Sequence, residues 1–319
     1  MLGLQNIWIG RKIMIPKIAI TTTSFAKFDD KPIQLLKDSG FEVVLNPHGR
    51  KLTCNEVIEL ASDAVGLIAG TESLDKATLE KLPLLKVISR CGVGMDNVDL
   101  EVATQLNIKV FNTPFGPTLA VAELTVGLIL DLLRKVTVMD REMRAGVWKK
   151  RMGNLLNDKR VGIIGFGRIG QKTGELLKAF GCEIGYYDSL RIEGLEDLRI
   201  KRLEMDELLR ESDIVTVHVS GKYEKPLLGA EELDMMKDGA WLVNVARGGV
   251  IDEEALFNAL KNERLAGAAL DVFEKEPYNG RLKELDNVIL TPHIGSYAKE
   301  ARIEMEIQAA KNLVEGIKR

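Results

Sequence analysis

Cysteine is scarce in this chain. Cys54, Cys91 and Cys182 are scattered, odd in number and in no C-x-x-C spacing. That argues against both a disulfide framework and a cysteine-based zinc site. An excess of one charge is also lacking: 44 Lys+Arg stand against 47 Asp+Glu, for a formal net charge of −3. No basic footprint for nucleic acid is therefore present. Long apolar runs are missing too. The longest apolar region, Leu119 to Leu133, is interrupted by Glu123 and Asp131, and is too short and too charged to span a bilayer. The first sixteen residues hold Trp8, Arg11 and Lys12 but no small-residue cleavage site after an apolar core. They read as an N-terminal extension ahead of a start near Met14, not as a signal peptide. There is no repeat at a solenoid period and no low-complexity tract. A soluble cytoplasmic protein is expected, and its 319 residues, 45% hydrophobic, suggest about two domains with substantial cores.

What is present is a regular alternation of short strands and helices. The first part reads as strands at Lys17–Thr22, Phe41–Leu45, Val65–Ala69 and Leu85–Ser89, with Val110–Pro114 extended. Helices lie between them: Pro32–Ser39 closed by Gly40, one through Ala61 opened by a Thr53/Glu56 capping box, and Asp75–Lys81. This pattern predicts a parallel sheet with helices on both faces. After Pro114 and Pro117 comes one long helix, Leu119 to about Ala145, apolar at first and charged at its end. It reads either as a link between domains with a face for a dimer contact, or as a buried core helix.

The stretch Lys159 to Asp188 is the most informative. Val161–Ile164 reads as a buried strand, followed by Gly165, Gly167 and Gly170 in G-x-G-x-x-G spacing. Next come a helix with Leu176, Leu177 and Phe180 on one face, and a second strand, Glu183–Tyr187, ending at Asp188. This is a strand, glycine turn, helix, strand and acid unit suited to a dinucleotide. The first glycine permits the turn, the second lets pyrophosphate approach the backbone, and the third allows close helix–strand packing. The helix N-terminus offers N–H groups to phosphate. Asp188 can accept both ribose hydroxyls and would repel a 2′-phosphate, which favours NAD over NADP. Four more strands, Ile214–Val219, Trp241–Val245, Ala266–Asp271 and Val288–Leu290, bring the sheet to six, with helices near Glu204–Arg210, Glu231–Met236 and Asp252–Asn262 between them. A final helix, Tyr297–Ile317, is expected to pack back on the first domain.

Three residues near the ends of the late strands carry suitable chemistry, and that edge is where open α/β sheets take ligands. They are Arg247 in V-A-R-G-G-V-I-D, Glu276 in D-V-F-E-K-E-P and His293 in L-T-P-H-I-G. Moving a hydride to or from a carbon that bears oxygen requires a proton to move on that oxygen. Histidine is suited to this by its ordinary pKa of about 6.5. A neighbouring carboxylate stabilises the imidazolium, and an arginine grips a substrate carboxylate. Each alone also reads as an ordinary loop residue. The chain has two other histidines: His48 in a turn, and His218, which ends a strand and could line a cofactor cleft. The loop Gly92-Val93-Gly94 lacks a third glycine at Asn97. It reads either as an anion-holding backbone loop or as a plain strand-to-helix turn.

From about Leu84 onward the chain resembles the D-isomer-specific 2-hydroxyacid dehydrogenase family. The resemblance lies in S-R-C-G-V-G-M-D-N-V-D-L at 89–100, N-T-P-F-G-P-T-L-A-V-A-E-L at 112–124, G-F-G-R-I-G at 165–170, N-V-A-R-G-G-V-I-D-E at 244–253, A-G-A-A-L-D-V-F-E-K-E-P at 266–277 and T-P-H-I-G-S at 291–296. It implies a Rossmann-type doubly wound NAD domain at 113–295 and a flavodoxin-like α/β substrate domain made of 1–112 and 296–319. It also implies that Arg247 binds substrate, Glu276 partners the histidine, and His293 is the acid/base. Backbone groups of Gly92, Val93 and Gly94 would meet the substrate carboxylate. Gly165, Gly167, Arg168, Ile169 and Asp188 would hold the dinucleotide, Val245 and Asp271 would bound its nicotinamide with Asp271 meeting the carboxamide, and Val219, Ala246, His293 and Gly295 would also contact the cofactor. Members are usually dimers through the long linking helix.

Within the family the chain is most like short phosphoglycerate dehydrogenase-like members, without a C-terminal regulatory domain after Arg319. It departs from them at Val219-Ser220-Gly221-Lys222-Tyr223, where Pro-Leu-Thr is often found. It departs again at Ala69-Gly70-Thr71-Glu72, which has no positive charge for a phosphate. Expected substrates are a D-2-hydroxy acid/2-keto acid pair, 3-phosphoglycerate among them, with glyoxylate or hydroxypyruvate as competitors. Formate dehydrogenases carry glutamine where Glu276 stands and are set aside. A nucleotide-sensing interaction module is the alternative from another class.

Overall fold

A computed structural model describes residues 8–9, 12–13, 15–190, 200–221 and 223–318. Most of the expected N-terminal extension, Met14 included, lies outside the described residues, as does Lys222. The chain divides into two compact units: one runs to Pro117 and resumes at Ser296, and the other is Thr118–Gly295.

The first unit begins with an antiparallel pair, β1 (Trp8–Ile9) and β2 (Lys12–Ile13). Its main elements follow as β3 (Lys17–Ile20), α1 (Lys31–Asp38), β4 (Glu42–Leu45), α2 (Cys54–Ala61), β5 (Ala64–Ala69), α3 (Lys76–Leu79), β6 (Val87–Arg90), α4 (Leu100–Gln105) and β7 (Lys109–Phe111). The five strands pair in parallel in the order β4-β3-β5-β6-β7. Three of these helices start where a side chain accepts one of their first N–H groups. Thr53 and Glu56 close a reciprocal capping box on α2, and Asp75 and Asp99 cap α3 and α4. One face of the sheet buries Leu67 and Ile88 under Val57, Leu79 and Val102 of these helices. β5 is buried at every position, as a central parallel strand covered on both sides must be.

The second unit begins with α5 (Pro117–Arg134) and α6 (Val136–Arg144), which the sequence reads as one helix. Lys135 breaks it by adopting a left-handed conformation, φ 57°. Asp131 secures the break: its carboxylate accepts from Thr137 N at 2.8 Å and from the Thr137 hydroxyl, capping the start of α6. Then follow β8 (Arg160–Ile164), α7 (Arg168–Ala179), β9 (Glu183–Tyr187), β10 (Ile200–Arg202), α8 (Met205–Glu211), β11 (Ile214–Val217), α9 (Ala230–Met235), β12 (Ala240–Asn244), α10 (Glu253–Lys261), β13 (Leu265–Leu270) and β14 (Val288–Leu290). All pair in parallel, in the order β10-β9-β8-β11-β12-β13-β14. That is a doubly wound sheet of seven strands among the described residues, not six. The added strand, Ile-Lys-Arg at the sheet edge, is short and charged, as edge strands tend to be. One face packs Ile163 and Val243 against Ile129, Leu133 and Leu177 of α5 and α7. The other packs Val215 and Leu242 against Leu208, Leu233 and Leu256 of α8, α9 and α10.

The last helix, α11 (Lys299–Lys318), belongs to the first unit. It lays Met305, Ala309 and Leu313 on the face of that sheet opposite α2–α4, against Ile18, Ile68 and Val87, with Leu36 of α1 beside them. Arg302 and Glu306 are also buried there, with Glu306 accepting from Ala26 N at 2.9 Å and Arg302 donating to Ser24 Oγ at 2.8 Å. Burial pushes the Glu306 carboxyl above its ordinary pKa, against the pull of the Arg302 guanidinium.

Candidate active site

The glycine turn follows β8, whose neighbours β9 and β11 lie on the two sides of the sheet's reversal point. Gly165 leaves the strand at φ +87°, a region costly for any residue with a Cβ. A side chain on Gly170 would overlap the carbonyl oxygen of Gly165, so α7 can approach only with glycine there. A side chain on Gly167 would meet nothing within 4 Å, so the space over the α7 N-terminus is open. Arg168 is exposed at the first residue of that helix, and Ile169 is half-buried against its core. Open backbone N–H groups and the positive end of a helix dipole suit a pyrophosphate.

Asp188, just past β9, closes the turn from the side. Its Oδ2 accepts from Phe166 N at 2.7 Å and its Oδ1 from Leu190 N at 3.0 Å. These bonds aim the carboxylate without exhausting its lone pairs, so both oxygens can still accept hydroxyls. Arg202 of β10 donates to the Asp188 carbonyl at 3.1 Å. Glycine turn, open helix end and aimed acid together fit a dinucleotide.

Three loops extend from β12, β13 and β14. After β12, Asn244 turns the chain by donating to Arg247 O at 3.0 Å and accepting from Ala246 N at 3.0 Å. Val245 and Ala246 are buried, whereas Arg247 is half-buried and donates to Ala246 O at 2.7 Å. Gly248 passes so close to Phe273 that a Cβ would overlap the Phe273 carbonyl, which presses the Arg247 loop onto the loop after β13. In that second loop Glu276 accepts from Phe273 N at 3.2 Å through Oε1. Its Oε2 lies 3.0 Å from Nδ1 of His293, in the loop after β14. A carboxylate only accepts, so Nδ1 carries the proton and Nε2 is the nitrogen left to exchange one.

Asp271 holds the His293 loop in place, a task its sequence position does not reveal. It is buried just past β13. Its Oδ1 accepts from Thr291 Oγ1 at 2.6 Å and Ile294 N at 2.8 Å, and its Oδ2 accepts from Gly295 N at 2.8 Å. The chain is thus pinned to one side chain on both sides of His293, by the Thr291 hydroxyl before it and the Ile294 and Gly295 N–H groups after it, with His293 itself at φ 56°. The only signal available to sequence reading is an acid at the end of an otherwise buried strand.

His218 stands one residue past its strand. The strand before it ends at Val217, and the ring turns inward: Nε2 lies 3.0 Å from Thr216 Oγ1, and Nδ1 is buried with no partner among the described residues. Burial pushes its pKa down to about 3, so it stays neutral. Its backbone and that of Val219 abut Gly165 and thereby support the turn.

In the other unit, the Gly92–Gly94 loop follows β6. The Gly92 N–H is already taken, donating to Thr113 Oγ1 at 2.7 Å and Arg90 O at 3.1 Å. Asn112 fixes the next residue by donating to Val93 O at 2.8 Å. Among the described residues, no cluster of three or more His, Cys, Asp or Glu is placed to hold a metal. Burial pushes the Cys91 and Cys182 thiols up to about 11, which makes both poor nucleophiles.

Comparison with known proteins agrees with this geometry. Residues 126–295 match the family model of the D-isomer specific 2-hydroxyacid dehydrogenase NAD binding domain. A glyoxylate reductase of Pyrococcus horikoshii is 40% identical over 314 residues, covering 94% of this chain and 92% of that protein. A D-3-phosphoglycerate dehydrogenase of Archaeoglobus fulgidus is 36% identical over 292 residues, 89% of this chain but only 55% of that longer protein. The solved structure of a Thermus thermophilus protein superposes with a TM-score of 0.87 at 35% identity, covering 95% of this chain and 97% of that one. With a dinucleotide turn, a carboxylate-paired histidine and full-length relatives of this kind, the chain belongs to the D-isomer-specific 2-hydroxyacid dehydrogenase family, as an NAD-dependent oxidoreductase acting on CH–OH groups.

Proposed function

We propose that this chain interconverts a short 2-keto acid and its D-2-hydroxy acid, with glyoxylate and hydroxypyruvate as its keto acids. The observation that carries the reading is the His293–Glu276 pair, 3.0 Å apart on a loop clamped by Asp271. When bound, the nicotinamide supplies or accepts the hydride. His293 gives its Nε2 proton to the carbonyl oxygen in reduction and takes it back in oxidation. Glu276 steadies the imidazolium and fixes which nitrogen faces substrate. Arg247 grips the carboxylate, since a guanidinium matches it in geometry and charge. In the other unit, the backbone of Gly92, Val93 and Gly94 is the candidate for meeting a substrate carboxylate, with Gly92 N already donating to Thr113 Oγ1.

The cofactor would lie on Gly165, Gly167, Arg168 and Ile169, with Asp188 on the ribose, and with Val219, Val245, Ala246, Asp271 and Gly295 toward the nicotinamide. The relatives named glyoxylate reductase favour glyoxylate over 3-phosphoglycerate, and the loop at Gly70, with no positive charge, points the same way.

The test is loss of NADH absorbance with glyoxylate, hydroxypyruvate, pyruvate, oxaloacetate, 2-ketoglutarate and phosphohydroxypyruvate. His293→Ala should slow turnover by ~10² or more while NADH affinity is kept; unchanged turnover would remove the role. Silence with every acid would favour a nucleotide-sensing module instead. We also propose a homodimer in the cytoplasm. Large apolar side chains stand exposed from Met143 to Leu155, with Trp148 at 80% and Met152 at 90%, as expected of a surface covered by a second copy. The cysteines are all free, as they would be in a reducing compartment, and no described helix is long and apolar enough to cross a membrane.

A further inference from the structure

The five-stranded sheet reverses between β3 and β5, because the chain runs outward from β3 to β4 and returns to β5 on the other side. In open parallel sheets the crevice at such a reversal, beyond the carboxyl ends of the strands, is where a ligand is held. Here the protein's own acid fills it. Glu72 lies in the loop after β5 and is 1% exposed. The Gly70 N–H donates to its Oε1 at 2.9 Å and its Oε2 at 3.2 Å. Its Oε1 also meets Oγ1 of Thr21, the residue just past β3, so the two strand ends are laced together by one carboxyl group. Asn97 fixes the loop from the far side, its Nδ2 donating to the carbonyls of Gly70 at 3.2 Å and Glu72 at 2.6 Å. Asn97 belongs to the segment after β6, which also carries Val93 and Gly94, and β6 is the direct neighbour of β5. The backbone N–H that could receive an anion at the end of β5 therefore already faces an acid, and Ala69–Leu74 contains no cationic residue.

We infer that Glu72 is a specificity-determining residue: it rejects substrates that carry a second anionic group and narrows the enzyme to 2-keto acids whose sole charge is the reacting carboxylate. This rests on the 2-keto acid reading above and on the placing of that carboxylate at the backbone of Gly92, Val93 and Gly94. A carboxylate built into the end of β5 weakens the binding of a substrate's second anion placed there by roughly tenfold or more.

The experiment measures kcat/KM with NADH for glyoxylate and hydroxypyruvate and for oxaloacetate and phosphohydroxypyruvate, in wild type, Glu72→Gln and Glu72→Ser, each variant checked by thermal melting. The wild type should favour the singly charged acids by about a hundredfold, and both substitutions should shrink that ratio by roughly tenfold, through KM of the doubly charged acids. If the ratio is unchanged in the folded variants, or if the wild type takes phosphohydroxypyruvate as readily as hydroxypyruvate, the inference is overturned while 2-keto acid reduction stands. Where neither variant folds, the wild-type ratio decides alone. A wild type that turns over none of the four acids overturns the functional reading and this inference with it.

Discussion

Replacing Asp271 by asparagine should separate the clamp on the His293 loop from the chemistry of the imidazole. Asp271 accepts three bonds, from Thr291 Oγ1, Ile294 N and Gly295 N, in a buried setting. Asparagine has one acceptor oxygen and a donor amide. In its better orientation it keeps Thr291 and Ile294 but turns N–H groups toward the buried Gly295 N–H. The loss is one bond to a charged acceptor plus one stranded donor, about 1.5–3 kcal/mol. For a unit of this size each kcal/mol lowers Tm by about 2–4 °C, so melting should fall by roughly 3–12 °C. The loosened loop carries His293, and a misplacement of about 1 Å at a reacting group can cost ~10² in rate. Differential scanning fluorimetry and kcat/KM for glyoxylate read the two effects together. Should Asp271→Asn melt within ~1 °C of wild type and keep its kcat/KM, Asp271 does not position this loop.

Gly248→Ala places a methyl group on the Phe273 carbonyl and should cost at least about 2 kcal/mol in stability, with a rise in KM as the Arg247 loop is displaced; unchanged melting and kinetics would contradict the close approach. Arg247→Ala should raise KM for keto acids far more than it weakens NADH binding, measured by fluorescence titration. His218 has its folded pKa held near 3, below the unfolded value of about 6.5, so its contribution is present above pH 6.5 and lost as pH falls below that toward 3. Over that window the loss approaches about 1.4 kcal/mol per pH unit, and in His218→Gln the decline of Tm between pH 6.5 and 5 should be visibly shallower; parallel curves would refute it. Trp148→Glu with Met152→Glu should shift the solution mass toward the monomer in light scattering.

Much of the fold is legible because buried parallel strands announce themselves as short apolar runs between glycines. Glu183–Tyr187 and Val288–Leu290 are read from sequence with the bounds the structure gives them. β10 escapes because Ile-Lys-Arg has neither length nor alternation and draws its stability from pairing with β9. The break at Lys135 escapes because neither glycine nor proline marks it. It depends on the Asp131 side chain reaching past the turn to Thr137. The candidate site is legible as residue types at strand ends, since Arg247, Glu276 and His293 all follow successive strands. What joins them is not legible. Asp271 gripping Ile294 and Gly295, Gly248 pressed on Phe273, and Glu72 bridging toward Thr21 are long-range contacts between loops, and no local pattern encodes a partner so far along the chain.

The membership of α11 in the first unit has a consequence for how the protein is made. On the ribosome β3 to β7 emerge first, but the face they offer to Met305, Ala309 and Leu313 stays bare until all of Thr118–Gly295 has been synthesised. The second unit, continuous in sequence, can finish folding beforehand. The nascent chain therefore exposes an oily half-core for the whole interval, which at about 5–20 residues per second lasts many seconds. Translation speed and chaperone supply should then affect the yield of active protein.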